Sequence, residues 1–249
     1  MSYLTSDIEV PCVDLFGQLT VTSITAAPNE NLNVIGSRAV TADGRSFRFI
    51  QVGASNVTPG MLLQAPAIVA NHQGLTPTAV SAIGDSQVTV TLGATAATAN
   101  QYSGGFLLVQ SGTTGAGQTL QIKSHPAANA SATLVLTLSD SFQIATSGTI
   151  TMNLIPSLYK GVIVCPTTPT NAVIGVAMTA LTATNYGWLQ THGECALLAS
   201  ATIAANASVS PSAATAGAVI TATAGSQIVG FAAQAGANTQ YNSVFLTID

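Results

Sequence analysis

Apolar and polar side chains alternate in period two over residues 86–92, 132–138 and 148–154, each stretch rich in β-branched residues and bounded by Gly, Asp or Ser. A strand points successive side chains to opposite faces, so these stretches predict half-buried strands. Runs of the same kind occupy 46–52, 106–110, 161–165, 172–177, 186–191, 227–232 and 243–248. Turn signals such as Asp43-Gly44, Pro59-Gly60 and Gly84-Asp85 punctuate them about every ten residues, as in sandwiches and barrels. No long window keeps apolar residues at helical spacing; the alanine-rich stretch 94–100 is read as a short helical turn.

Proline halts a sheet ladder, so Ile155-Pro156-Ser157 predicts a boundary, with a new strand run opening at Lys160. Residues 1–40, punctuated by Pro and Asn, predict an extended arm. Residues 41–156 and 157–249 are then two β domains, and the expected fold is all-β, with two sandwich- or barrel-like lobes behind that arm. The compositionally simple stretch 200–224 carries enough Val, Ile and turn residues to predict short strands. A faint echo between 51–63 and 203–212 is read as chance in so biased a composition, and no regular period of 20–50 residues points to a solenoid or propeller.

Composition narrows the function classes. Charged residues make up 6% of the 249, against roughly 25% in ordinary soluble domains. The hydrophobic fraction of 47% is largely alanine, and no run of about 18 apolar residues occurs, so no membrane helix is expected. Low net charge with high apolar content argues against disorder. Arg38, Arg45, Arg48, Lys123 and Lys160 are too few to neutralise a run of phosphates, so direct nucleic-acid binding is not expected. Acids at Asp7 and Glu9 stand where a secretory signal would be basic and then apolar, and synthesis in a cytoplasm is the expectation. Cys12, Cys165 and Cys195 are expected to be buried small apolar residues.

Candidate chemistry is incomplete. His192-Gly-Glu194-Cys195 carries the first half of a zinc-deaminase signature, in which His binds metal and Glu moves protons, yet P-C-x-x-C does not follow. Gly112, Gly115 and Gly117 have neither the order of a dinucleotide fingerprint nor a P-loop lysine, and read as a hairpin loop. The nine acids stand singly. No enzyme, cofactor or metal is expected. Two clusters remain. Arg45, Phe47, Arg48 and Phe49 set arginines beside aromatics just after a turn, and Tyr186 stands beside Trp188. Alternation would put the aromatics in a core and the arginines in water, whereas a contact patch would use those same residue types as anchors; these six are the candidate interface residues.

Several strings resemble the head decoration, or cement, proteins of tailed bacteriophages. They are Asp43-Gly-Arg-Ser-Phe-Arg-Phe49, Pro59-Gly-Met-Leu-Leu-Gln64, Asn100-Gln-Tyr-Ser-Gly-Gly-Phe-Leu-Leu-Val109, Leu136-Thr-Leu-Ser-Asp140, Tyr159-Lys-Gly-Val-Ile-Val164 and Tyr186-Gly-Trp-Leu-Gln-Thr-His-Gly193. The resemblance covers residues 40–249. It implies a non-enzymatic virion protein, made in the host cytoplasm and bound to the outer capsid surface. There it would cement major capsid protein subunits as a homo-oligomer, a trimer being favoured, without touching DNA or membrane. A surface of Ala, Ser, Thr and Asn suits that role, because short side chains lose little rotamer entropy on being covered and leave no ion stranded. The rival expectation is a phage fibre or other host-recognition protein that binds surface glycans through Thr/Asn-rich loops and Trp188.

Overall fold

The computed structural model describes Ile8–Glu9 and residues 35–249. Strands β1 (Ile8–Glu9), β2 (Arg38–Val40), β3 (Ser46–Val52) and β4 (Leu62–Gln64) precede a 3-10 turn at Ala70–His72. Next come β5 (Gln87–Thr91), β6 (Phe106–Ser111), β7 (Thr119–Ser124), β8 (Thr133–Leu138), β9 (Thr151–Ile155) and β10 (Lys160–Val164). The chain ends with β11 (Val173–Ala177), β12 (Tyr186–Leu198), β13 (Ser208–Pro211), β14 (Val219–Thr221), β15 (Gly230–Ala232) and β16 (Tyr241–Thr247). The fold is all-β, as the period-two runs predict. The stretch 94–100 is not helical but belongs to a crossed connection described below.

Two compact units form, but not those expected. Ala67–Ser157 is one, and the described residues up to Pro66 join Leu158–Asp249 in the other. A break does fall at Pro156 and Ser157. Residues 41–66, however, belong with the C-terminal part, because β3 and β4 find their partners in β10, β11 and β12. The unit 67–157 is thus inserted between β4 and β10, and strand pairing across that insertion leaves no local mark in the sequence. Most of the expected arm lies outside the described residues. Within it, Ile8–Glu9 pairs in parallel with Ala39 and Val40, and Arg38–Val40 forms a hairpin with β3 across the Asp43-Gly44 turn, so 38–40 is sheet.

In the discontinuous unit, hydrogen-bonded neighbours run β3, β10, β4, β11, β12 and back to β3, closing a ring. Ile50, Val52, Leu63, Val162, Ile174, Leu181 and Leu189 fill it. A second ring runs β12, β16, β15, β13, β14 and closes through a parallel bridge from Val219 to Ala199. Its core holds Cys165, Cys195, Leu197, Ile203, Val209, Val229, Val244 and Leu246. β12, at 13 residues the longest strand described, serves both rings. In the inserted unit the order is β5-β8-β7-β6-β9, and Leu75 bridges Met152 while Pro77 bridges Val90, so residues 75–77 join the outer strands. Val88, Val90, Leu107, Val109, Leu120, Ile122, Leu134, Leu136 and Met152 point inward from alternate positions.

All three rings use one device. A strand leads into a bridging residue, and a left-handed residue follows three places later; two such connections cross in each ring. The bridges are Val57 with Leu181, Ala97 with Ala128, and Ile203 with Gly236. The left-handed residues are Gly60, Thr184, Asn100, Ser131, Asn206 and Thr239, and the last five are all the non-glycine residues of positive φ among those described. Each sends its N–H across to the opposite connection at 2.8–3.0 Å: Gly60 to Ala177 O, Thr184 to Gly53 O, Asn100 to His125 O, Ser131 to Gly93 O, Asn206 to Ala232 O and Thr239 to Ala199 O. Around each cross the outer strands pair antiparallel (β3 with β12, β5 with β8, β12 with β16), and so do the inner ones (β4 with β11, β6 with β7, β13 with β15). Residues 53–60 and 199–206 are thus equivalent connections, with Val57 matching Ile203; the similarity between 51–63 and 203–212, which sets Val57 against Val209, is out of register with this repeat. The residue types at the bends drift among Gly, Asn, Ser and Thr, which hides the period.

A β-branched residue is poorly suited to the left-handed region, where Asn sits more easily. Thr184, at φ 65°, stores that strain. Thr184→Asn is expected to raise stability by about 1 kcal/mol, read from the denaturant midpoint at unchanged slope; an unchanged or lower midpoint would show that the bend is unstrained.

Candidate functional site

The structure brings together the two clusters that the sequence holds 140 residues apart, because β12 pairs antiparallel with β3, with Trp188 opposite Phe49 and Gln190 opposite Phe47. Phe47, Phe49 and Trp188 are buried with Ala39, and Met178 and Tyr186 pack against them. Phe49 stacks on Tyr186 at 6.1 Å and meets Trp188 edge to face at 5.3 Å. Of the six candidate interface residues, these three aromatics are therefore core, exposed by 1%, 4% and 3%. Trp188 is no glycan platform.

The arginines are engaged within the unit. Arg48 makes a two-pronged ion pair with Asp249, at 2.7 and 2.9 Å, donates to Gly36 O at 3.0 Å and lies 5.6 Å from the Tyr159 ring centre. That guanidinium holds the Asp249 carboxyl below its ordinary value. Arg45 pairs with Asp43 at 2.7 Å across the β2–β3 turn and covers the Phe47 ring at 5.7 Å. Hydrogen bonds from the Thr41 hydroxyl and then from Arg45 keep Asp43 low.

The better candidate is a groove beside this turn. Asp43, Gly44 and Arg45 form one wall, His192, Gly193 and Glu194 lie along it, and Phe245 lines the other side of a cavity of about 420 Å³. A bulge in β12 shapes it: pairing with β3 shifts between Gln190 and His192, and Gly193 takes φ 85°. The buried Gln190 amide secures the bulge by donating to the carbonyls of His192 and Glu194, both at 2.9 Å. A Cβ on Gly193 would stand 2.7 Å from Arg45 Cγ, so glycine lets the arginine stem lie against the strand.

Beyond the bulge, alternate residues of β12 face outward again. Glu194 stands opposite Phe245, and Phe245 opposite Phe231. The two phenyl rings stack at 5.2 Å and 16°, and His192 meets Phe245 edge-on at 5.2 Å. Phe231 is 40% exposed. Glu194 is exposed and accepts a hydrogen bond from the Ser243 hydroxyl. Cys195 points to the opposite face, into the core, where burial pushes its thiol up to about 12; Cys165 is buried there too, and its thiol is raised to about 11. Cys12 lies outside the described residues. Cys195 therefore lies on the opposite face from His192 and Glu194, and no group of three or more His, Cys, Asp or Glu that could hold a metal lies among the described residues. Phe231 and Phe245 were missed by the sequence reading, since each sits in an ordinary strand run; their pairing exists only through the register of β15 on β16.

The other two histidines are structural. His72 donates from Nε2 to Thr95 O at 3.0 Å and accepts the Tyr102 hydroxyl at Nδ1. His125 donates from Nδ1 to Pro126 O and accepts the Tyr102 N–H at Nε2. Each ring therefore has a defined tautomer, because a carbonyl can only accept and an N–H only donate. Burial pushes the Tyr102 hydroxyl up to about 12.

This chain matches no family model, no curated protein and no solved structure.

Two outcomes follow from these geometries. Trp188→Ala should cost about 3–5 kcal/mol of stability, measured by denaturant unfolding; a loss under about 1 kcal/mol would mean the indole is peripheral to the core. In alkali the unfolded Tyr102 releases its proton near 10.0, whereas the folded one keeps it to about 12. Between those values the unfolded chain binds fewer protons, so stability falls as pH rises, at about 1.4 kcal/mol per pH unit. Tyr102→Phe should lower the slope by about that amount in equilibrium unfolding from pH 9 to 12, the raised Cys165 and Cys195 thiols keeping the remainder; an equally steep slope in the variant would assign it to other groups.

Proposed function

We propose that the protein is a non-enzymatic structural protein of a bacteriophage virion, made in the host cytoplasm and bound to the outer capsid surface. There it cements major capsid subunits, acting as a homo-oligomer with a trimer favoured. The observation that carries this reading beyond resemblance is the tip of the inserted unit. Its loop 78–86 is tied to 141–146 by backbone bonds from Thr146 N to Ser81 O and from Gly84 N to Phe142 O, at 2.9 and 2.8 Å. These paired loops expose Val80, Ile83 and Ile144 by 63%, 70% and 53%. Aliphatic side chains held out on a hydrogen-bonded tip suit docking into a groove of another subunit. The low charge of the chain supports the same reading, since such a surface can be covered without burying unpaired ions. Repetition over a capsid lattice would then turn weak contacts into stable attachment.

Sedimentation of the protein with expanded phage heads tests this. The protein should pellet with the heads and let them survive a heat step that ruptures bare heads. Ile83→Asp with Ile144→Asp should abolish pelleting while leaving the fold intact by circular dichroism. Heads that bind none of the parent protein, or that rupture at the same temperature with it, would overturn the reading.

A further inference from the structure

The geometry points to a second binding site, in the discontinuous unit: the groove between the Asp43–Arg45 turn and the outer face of β12 and β16 binds a neutral saccharide of one or two rings. Three observations converge there. The cavity of about 420 Å³ falls within the range of about 300–1,000 Å³ usual for small-ligand sites. Its side is lined by Phe245, which is backed by the stacked and 40% exposed Phe231. Its polar groups are planar hydrogen-bonding ones, namely the Arg45–Asp43 pair, Glu194 and the His192 imidazole.

A pyranose has one face of C–H groups and a rim of hydroxyls that both donate and accept. Aromatic rings cover the first, and carboxylate, guanidinium and imidazole satisfy the second. An apolar ligand would strip water from the hydrogen-bonding sites these groups keep beyond their own pairings, at a cost. Asp43 and Glu194 outnumber Arg45 by one charge, so an acidic ligand is disfavoured and a neutral or N-acetylated sugar fits. The site is also held in place: the Gln190 amide secures the bulge that aims His192 and Glu194, and the Ser243 hydroxyl orients the Glu194 carboxylate. It stands whether or not the chain binds capsids, and it places saccharide recognition on Phe245 and Phe231 in place of the buried Trp188.

The full chain on an array of immobilised neutral, N-acetylated and acidic oligosaccharides tests the assignment, with affinities of retained sugars then measured by titration. Neutral or N-acetylated sugars should be retained. Phe231→Ala and Glu194→Gln should each weaken binding about tenfold at an unchanged thermal midpoint. Glu194→Gln keeps an acceptor for Ser243 at an exposed position, so it decides the matter should Phe231→Ala fail to fold. Retention of no sugar, retention of acidic sugars alone, or parental affinity in the Glu194→Gln variant would overturn it.

Discussion

Everything in this molecule hangs on the crossed connection. In each ring two chain segments exchange a pair of backbone hydrogen bonds at their bridging residues, and each then bends through a left-handed residue whose N–H is taken up on the far side. Backbone donors buried without a partner are costly, so the cross both satisfies the loops and fixes which strands lie next to one another. With the cross in place, outer strand pairs with outer and inner with inner, and the rings close. A charge-poor chain of small side chains can then hold three small ring cores, with no α-helix among the described residues to cover them.

β12 converts that repeat into a functional surface. It is the last strand of one cross and the first of the next, pairing with β3 from Tyr186 to His192 and with β16 from His192 to Leu198. The bulge between Gln190 and His192 marks that change of partner, and the buried Gln190 amide holds it. The same adjustment turns His192 and Glu194 outward beside the Asp43–Arg45 turn, while Cys195 goes into the core. A string that looks in sequence like half of a metal site is, in space, the seam between two rings and the floor of a groove.

Much of this was legible beforehand, and particular residues show why. The period-two runs at 86–92, 132–138 and 186–191 marked strands, because a half-buried strand must alternate. Asp43-Gly44 marked a hairpin, because few other pairs accept its backbone angles. Phe47, Phe49 and Trp188 could be assigned to either a core or a contact patch. Deciding between them needed the partner strand, and burial at 4% or less settled it for the core. The crosses were invisible because their bends are filled by Gly, Asn, Ser or Thr, residues that also fill ordinary loops of this composition.

The amino-acid sequence by itself determined the all-β class, most of the strands and the scarcity of charge, since these follow from local alternation and composition. Tertiary structure alone decided that 41–66 joins the C-terminal part, that Trp188 is buried, and that Phe231 meets Phe245 beside Glu194. The reason is physical. Which strands pair, and in what register, depends on hydrogen bonds between strands as far apart as β3 and β12, where Ser46 stands opposite His192, and no local pattern encodes the partner of a strand edge.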